Sequence, residues 1–527
     1  VYATKENHIV PQYDRRTSGV LLHPTSLPGS VGIGELGSAA RTFIDWMALA
    51  KQQRWQVMPL GPTGYGDSPY ASFSALAGNP LLISVERLIA DGLLPRAELE
   101  QAPLFPLDQV DFGPVIEWKT ALLERAYRTF GERASTEQRQ AFEQFRAEHA
   151  AWLDDFALFM AVKAAHGGVS WNEWDPAIAK RQPKALQQWR KKLADRIEFH
   201  QFNQWLFFTH WLDIKKYANE HNIKIIGDIP IFVAYDSADV WGNRDLFFLD
   251  QDGNPTVVAG VPPDYFSATG QRWGNPLYRW NVLQQRNFDW WIERFRMMYT
   301  MVDIVRLDHF RGFAQYWEIP ADEETAIKGR WVTTPGSEFF NAVRAQLGNV
   351  PIIAEDLGLI TPDVTALRHE QGFPGMAVLQ FAWSADATDP YLPHNHVPNM
   401  VVYTGTHDND TTTGWWQAVG EYERVHAQKY LAVHGNDIAW DLTRAALRSV
   451  AETAIVPMQD LLSLGSGARM NYPGRAGGNW GWRLLPDQLR DVVAERLGEL
   501  ASLYGRVPME APDTRVGELA QLERDPR

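Results

Sequence analysis

Apolar runs rich in β-branched residues recur along the chain, separated by polar or glycine-containing breaks. Stretches of helical periodicity fill the intervals, the alternation of βα units around a parallel sheet. Eight runs read as strands, at 19–23, 55–61, 223–231, 302–308, 350–355, 376–381, 401–406 and 456–461. Three of them lead into acids: 302–308 (VDIVRLD) ends on Asp308, 351–355 (PIIAE) on Glu355, and 401–408 (VVYTGTHD) on Asp408. The expected fold class is α/β, a (β/α)8 TIM barrel with large insertions around the C-terminal mouth. In such a barrel the carboxyl ends of all strands face one mouth, so acids far apart in sequence converge there. A single strand-terminal acid is commonly a helix cap or turn residue; three in one topology point to a chemical site.

The intervals set the domain plan. One barrel domain spanning 1–527 is expected. A mainly helical insertion covers 63–222, with helical periodicity at 116–151 and 183–217, and a loop insertion over the mouth covers 235–280. Within the latter, Asp250-Gln251-Asp252-Gly253 reads as a hairpin turn. It resembles the start of a calcium loop, but the twelfth position is Val261 where a closing Glu is needed.

Composition narrows the chemistry. With 45% hydrophobic residues, the chain has no apolar run near the roughly 20 residues of a membrane span. The first 18 residues lack the apolar core of a secretory signal, so a cytoplasmic location is expected. There is no cysteine, which excludes disulfides, thiolate nucleophiles and Cys-based metal sites. The balance of 50 basic against 64 acidic residues gives −14, which repels a nucleic-acid backbone. The glycines at 29–34 lack the G-x-G-x-x-G order, and His394-Asn395-His396 has no evident third ligand, so no cofactor and no metal are expected. The 22 Trp and 17 Tyr supply flat faces with a polar handle, suited to sugar rings, although most belong in the core.

Longer motifs then carry a family resemblance. GDIPIF with Asp228, RLDHFRG with Arg306 and Asp308, AEDLG with Glu355 and TGTHDND with His407 and Asp408 resemble the signature regions of the α-amylase clan. HPTSLPG (23–29), GPTGYGDSPY (61–70), AGNPLLI (77–83) and VAGVPPDYFSATGQRWGNPLY (258–278) resemble one branch of it, the 4-α-glucanotransferases, or amylomaltases. The resemblance runs from about 18 to 483 and is to the short bacterial type. It implies Asp308 as nucleophile, Glu355 as general acid/base and Asp408 as transition-state stabiliser. The partners it implies are α-1,4-glucan donors with glucose or maltooligosaccharide acceptors; a monomer is expected.

Elementary chemistry fits that division. Arg306 and Asp308 are two residues apart on a strand and share a face, so the guanidinium can hold the carboxylate ionised and lower its pKa. Glu355 must begin protonated, and isolation from Arg together with nearby acids would raise its pKa. Alternation sends Glu355 and Asp356 to opposite faces, and the resemblance selects Glu355. Asp228 can support Arg306 or bind substrate, and His309 and His407 are candidates for sugar hydroxyls. On the loop 262–278, Tyr265, Phe266 and Trp273 can stack on sugars while Asp264 and Gln271 bind hydroxyls. Ser68 and Tyr70 follow the second strand and are expected at donor subsites; Asn471, Asn479 and Trp480 follow the eighth. The competing readings are an α-1,4-glucan hydrolase and a barrel that binds glucan without catalysis; the presence of all three acids argues against the second.

Overall fold

The computed structural model describes residues 16–508 except 264–266, 359 and 476. Eight parallel strands surround one axis: β1 (Thr17–Leu21), β2 (Arg54–Gln56), β3 (Lys224–Pro230), β4 (Ile304–Asp308), β5 (Ile352–Ala354), β6 (Gly375–Val378), β7 (Met400–Tyr403) and β8 (Thr453–Pro457). Their ladders run in the order β6-β7-β8-β1-β2-β3-β4-β5. The ends of that series meet without a ladder; the Ala354 N–H donates to the Pro374 carbonyl at 2.9 Å across the join. The result is a nearly closed (β/α)8 barrel.

Alternation decides what fills it. Leu21, Ile226, Ile353, Met376, Val378, Val401, Tyr403 and Ile455 pack together inside the barrel. The intervening Val20, Ile225 and Val402 face outward into the larger core under the helices. The Tyr403 hydroxyl in this interior is matched by Gln56 Oε1 at 2.8 Å. Gly19 is needed where β1 meets β2, because a Cβ there would stand 2.1 Å from the Arg54 carbonyl oxygen.

Element boundaries differ from the sequence expectation in several places. The eighth strand is Thr453–Pro457, and most of 456–461 is the helical turn Met458–Leu461. The apolar run carries on past the strand only to Met458, and Pro457, which has no N–H, ends the ladder. The run 376–381 likewise leaves strand geometry after Val378.

The interval 63–222 holds the helices Phe112–Arg133, Thr136–Ala165, Pro183–Lys192 and Ala194–Glu220. The expected continuous periodicity at 116–151 is broken at Ser135, whose side chain and Gln138 form a capping box. The last helix lies on the barrel wall: Trp211 packs against Trp55 of β2 and donates its indole N–H to the Met301 carbonyl at 2.8 Å. Beyond β3, Val257–Val261 and Gln271–Pro276 pair antiparallel. They join Gln315–Pro320 and Arg330–Thr333, which follow β4, in one four-stranded sheet. The sequence reading did not anticipate this second sheet. No helix among the described residues is long and apolar enough to cross a membrane.

Candidate active site

Register brings the first charges together. Asp228 on β3 pairs with Arg306 on β4, so their side chains share a face, and Asp308 follows on that face two residues later. Arg306 Nη1 donates to both Asp228 oxygens at 2.8 and 2.7 Å and to Asp308 Oδ1 at 2.9 Å. Tyr70 donates its hydroxyl to Asp228 Oδ2 at 2.8 Å. Burial works against the charge on Arg306, but Asp228 and Asp308 outweigh it and push its pKa up.

The chain then turns sharply. His309 adopts left-handed backbone angles, φ 53° and ψ 51°, a strained conformation for a non-glycine residue. That turn accompanies a bond from its N–H to Glu355 Oε2 at 2.7 Å, and Leu357 N–H holds Oε1 at 2.9 Å. Burial raises the Glu355 pKa to about 7; Asp308 adds to the rise, while Arg306 and the two N–H donors pull the other way. Glu355 is therefore not isolated from arginine as expected; burial wins over an arginine that is present. Asp356 is engaged elsewhere, by Arg368 at 3.0 Å and the Met376 N–H at 2.7 Å. Burial lowers the His309 pKa to about 4 despite Asp308, so this imidazole is neutral at pH 7.

Asp408 stands past the end of β7 with its side chain half exposed. Asn471 Nδ2 donates to its Oδ1 at 2.6 Å, and His407 Nε2 lies 3.5 Å from Oδ2. The His407 ring stacks on Tyr70 with centroids 5.1 Å apart, and Trp480 tilts against both. Trp480 has a positive φ of 65°, unusual for so large a residue. Across from this aromatic wall, Trp273 meets His309 edge-on at 4.8 Å and donates to Gln271 Oε1 at 3.1 Å.

One cleft is lined by Ser68, Tyr70, Gln271, Trp273, Asp308, His309, His407, Asp408, Asn471 and Trp480. Arg306 and Asp228 lie buried beneath it. Asp264, Tyr265 and Phe266 lie outside the described residues. Asn479 braces its own loop, accepting from the Tyr472 N–H at 2.9 Å and donating to the Arg475 carbonyl at 3.0 Å. Pro473 and Gly474 also reach the cleft and were not anticipated, and Asn275, inside the 258–278 motif, was not singled out there. A larger hollow at the opposite end of the barrel, lined by Ile226, Ile353 and Val401 with Arg54 and Glu452, contains none of the expected site residues.

A family model described as 4-alpha-glucanotransferase matches residues 22–488. A 4-alpha-glucanotransferase of Thermus thermophilus is 52% identical over 500 residues, covering 93% of this chain and 99% of the relative. A chloroplastic/amyloplastic 4-alpha-glucanotransferase of Arabidopsis thaliana is 44% identical over 499 residues, covering 94% and 86%. Among solved structures, the amylomaltase of Streptococcus agalactiae in complex with acarbose superposes with a TM-score of 0.91 at 39% identity, over 94% of this chain and all of that one.

Proposed function

The chain belongs to the 4-alpha-glucanotransferase family, and from that premise we propose how its residues divide the work of passing an α-1,4-glucan segment to the 4-hydroxyl of glucose or another glucan. The enzyme is a glycosyltransferase of this class. Asp308 is the nucleophile, Glu355 the general acid and then base, and Asp408 the group that grips ring hydroxyls as the sugar flattens.

In the first half-reaction Glu355 protonates the glycosidic oxygen while Asp308 attacks the anomeric carbon. The C–O bond to the leaving glucan breaks and a glycosyl ester forms on Asp308. In the second half-reaction the Glu355 carboxylate takes the proton of the acceptor 4-hydroxyl, whose oxygen attacks the same carbon and releases Asp308. Two inversions return the α configuration. The observation that carries this assignment is the contrast between the two acids: Arg306 holds Asp308 at 2.9 Å, while burial brings Glu355 to a pKa of about 7, where it can both give and take a proton.

The remaining cleft residues serve the glucan. Tyr70, Trp273 and Trp480 offer ring faces, and Ser68, Gln271, His309, His407 and Asn471 offer polar groups to hydroxyls, with Asp228 and Arg306 setting the charge below. Asp264 and Tyr265 belong to the same reading on sequence grounds. Action on the maltooligosaccharides of starch or glycogen, a monomeric state and a cytoplasmic location complete the proposal; the substrate class draws support from the acarbose held by the related amylomaltase.

Incubation with pure maltotriose tests the activity: glucose together with longer oligomers is expected, and reducing ends alone indicate hydrolysis. For the nucleophile, Asp308→Asn should abolish transfer while leaving the fold intact, since an amide of nearly the same shape cannot form the ester. A mechanism-based glycosyl label should map to Asp308 by mass spectrometry. A label on any other residue overturns the assignment.

A further inference from the structure

Asp408 projects from the end of β7, yet its carboxylate is held by a loop that follows β8. Arg469 donates Nη2 to the main-chain carbonyl of Asp408 at 2.6 Å and Nε to the main-chain carbonyl of Asn471 at 2.7 Å. Asn471 in turn donates its side-chain amide to Asp408 Oδ1 at 2.6 Å. One planar guanidinium thus fixes both the backbone that bears the carboxylate and the residue that grips the carboxylate. Arg469 lines a small pocket beside the glucan cleft, together with His23, His407, Asn409 and Asp410. Its guanidinium also lies over the Tyr472 ring, 4.5 Å from the centroid.

We propose that Arg469 is a positioning residue for the transfer reaction, acting through Asp408 and Asn471 to aim the Asp408 carboxylate at the reacting sugar. The inference rests on the role assigned to Asp408 above. A half-exposed carboxylate on a loop has rotational freedom, and its bonds to ring hydroxyls help only if they tighten as the ring flattens. Anchoring the peptide on one side and one carboxylate oxygen on the other removes that freedom before substrate arrives. The task needs a rigid fork that reaches two carbonyls in one plane, which the point charge of a lysine does not supply.

The test is a double-mutant cycle on the full chain, with maltotriose disproportionation as the readout. Arg469→Ala should lower kcat by about 10- to 100-fold, the scale of a misplaced catalytic group, with KM changed by less than about 3-fold. Arg469→Lys should recover only part of the loss, and it carries the test if the Ala variant does not fold. In an Asp408→Ala background, removing Arg469 should change the residual rate by less than about 3-fold, because the carboxylate that it aims is already gone. Equal losses in both backgrounds would overturn the inference, as would a raised KM with unchanged kcat. A nearly normal kcat in Asp408→Ala alone would instead remove the role given to Asp408, a result that the cycle reads separately.

Discussion

At the scale of single residues, the proton on Glu355 links activity to stability. Its folded-state pKa of about 7 stands above the usual 4.5, so the folded protein holds a proton that the unfolded chain has lost between those values. The native state therefore binds more protons, and stability falls as pH rises through that window. By pH 8 the buried charge costs about 1–3 kcal/mol. Glu355→Gln should remove this slope and gain stability over the parent at pH 8 but not at pH 4, as read by urea melts at both. Transfer by the parent should decline above about pH 7 as the acid loses its proton. Parallel melting curves for the two proteins at both pH values would count against a buried, titrating Glu355. The same residue shows how far sequence goes: its place at the end of an apolar run marked it, whereas the nearness of Arg306 across the sheet needed the register of β3, β4 and β5.

At the scale of elements, the cleft depends on pieces that the sequence revealed unequally. The barrel strands were legible as apolar runs because they are buried on both faces. Their ends were less so, since the apolar run of β8 continues through Pro457 and Met458 into the helical turn before Gln459 and Asp460 interrupt it. The four-stranded sheet was missed for a different reason. Gln271–Pro276 (QRWGNP) opens with exposed residues and shows no alternation, and the sheet's other two strands, Gln315–Pro320 and Arg330–Thr333, lie beyond β4. Arg469 escaped notice because its partners are main-chain carbonyls, which leave no mark on residue type. The sheet nonetheless places Gln271 and Trp273 on a wall of the cleft, where an acceptor sugar must outcompete roughly 55 M water for the glycosyl ester by proximity and exclusion. Trp273→Ala should raise the fraction of turnovers that end in new reducing ends by about 3- to 10-fold, with Asp308, Glu355 and Asp408 unaltered. If transfer and hydrolysis fall together in the same proportion, the wall serves binding alone.

At the scale of the whole molecule, the barrel is fastened unevenly around its circumference. Between β8 and β1 the ladder is continuous, and the buried guanidinium of Arg506 adds bonds to the carbonyls of Thr17, Leu447, Ser449 and Ala451 at 2.6 to 2.8 Å. Between β5 and β6 there is no ladder. Glu355 follows directly on β5, so the acid whose proton affinity is set by dryness stands beside the least fastened line of the cylinder. Loosening that line lets water reach the carboxyl before anything else gives way, and a wetted carboxyl releases its proton at lower pH. The alkaline limb of the rate profile thus becomes a gauge of barrel tightness: in sub-denaturing urea it should slide below pH 7 while the circular dichroism spectrum stays native, and a limb that holds still until global unfolding would show the join to be as firm as the rest.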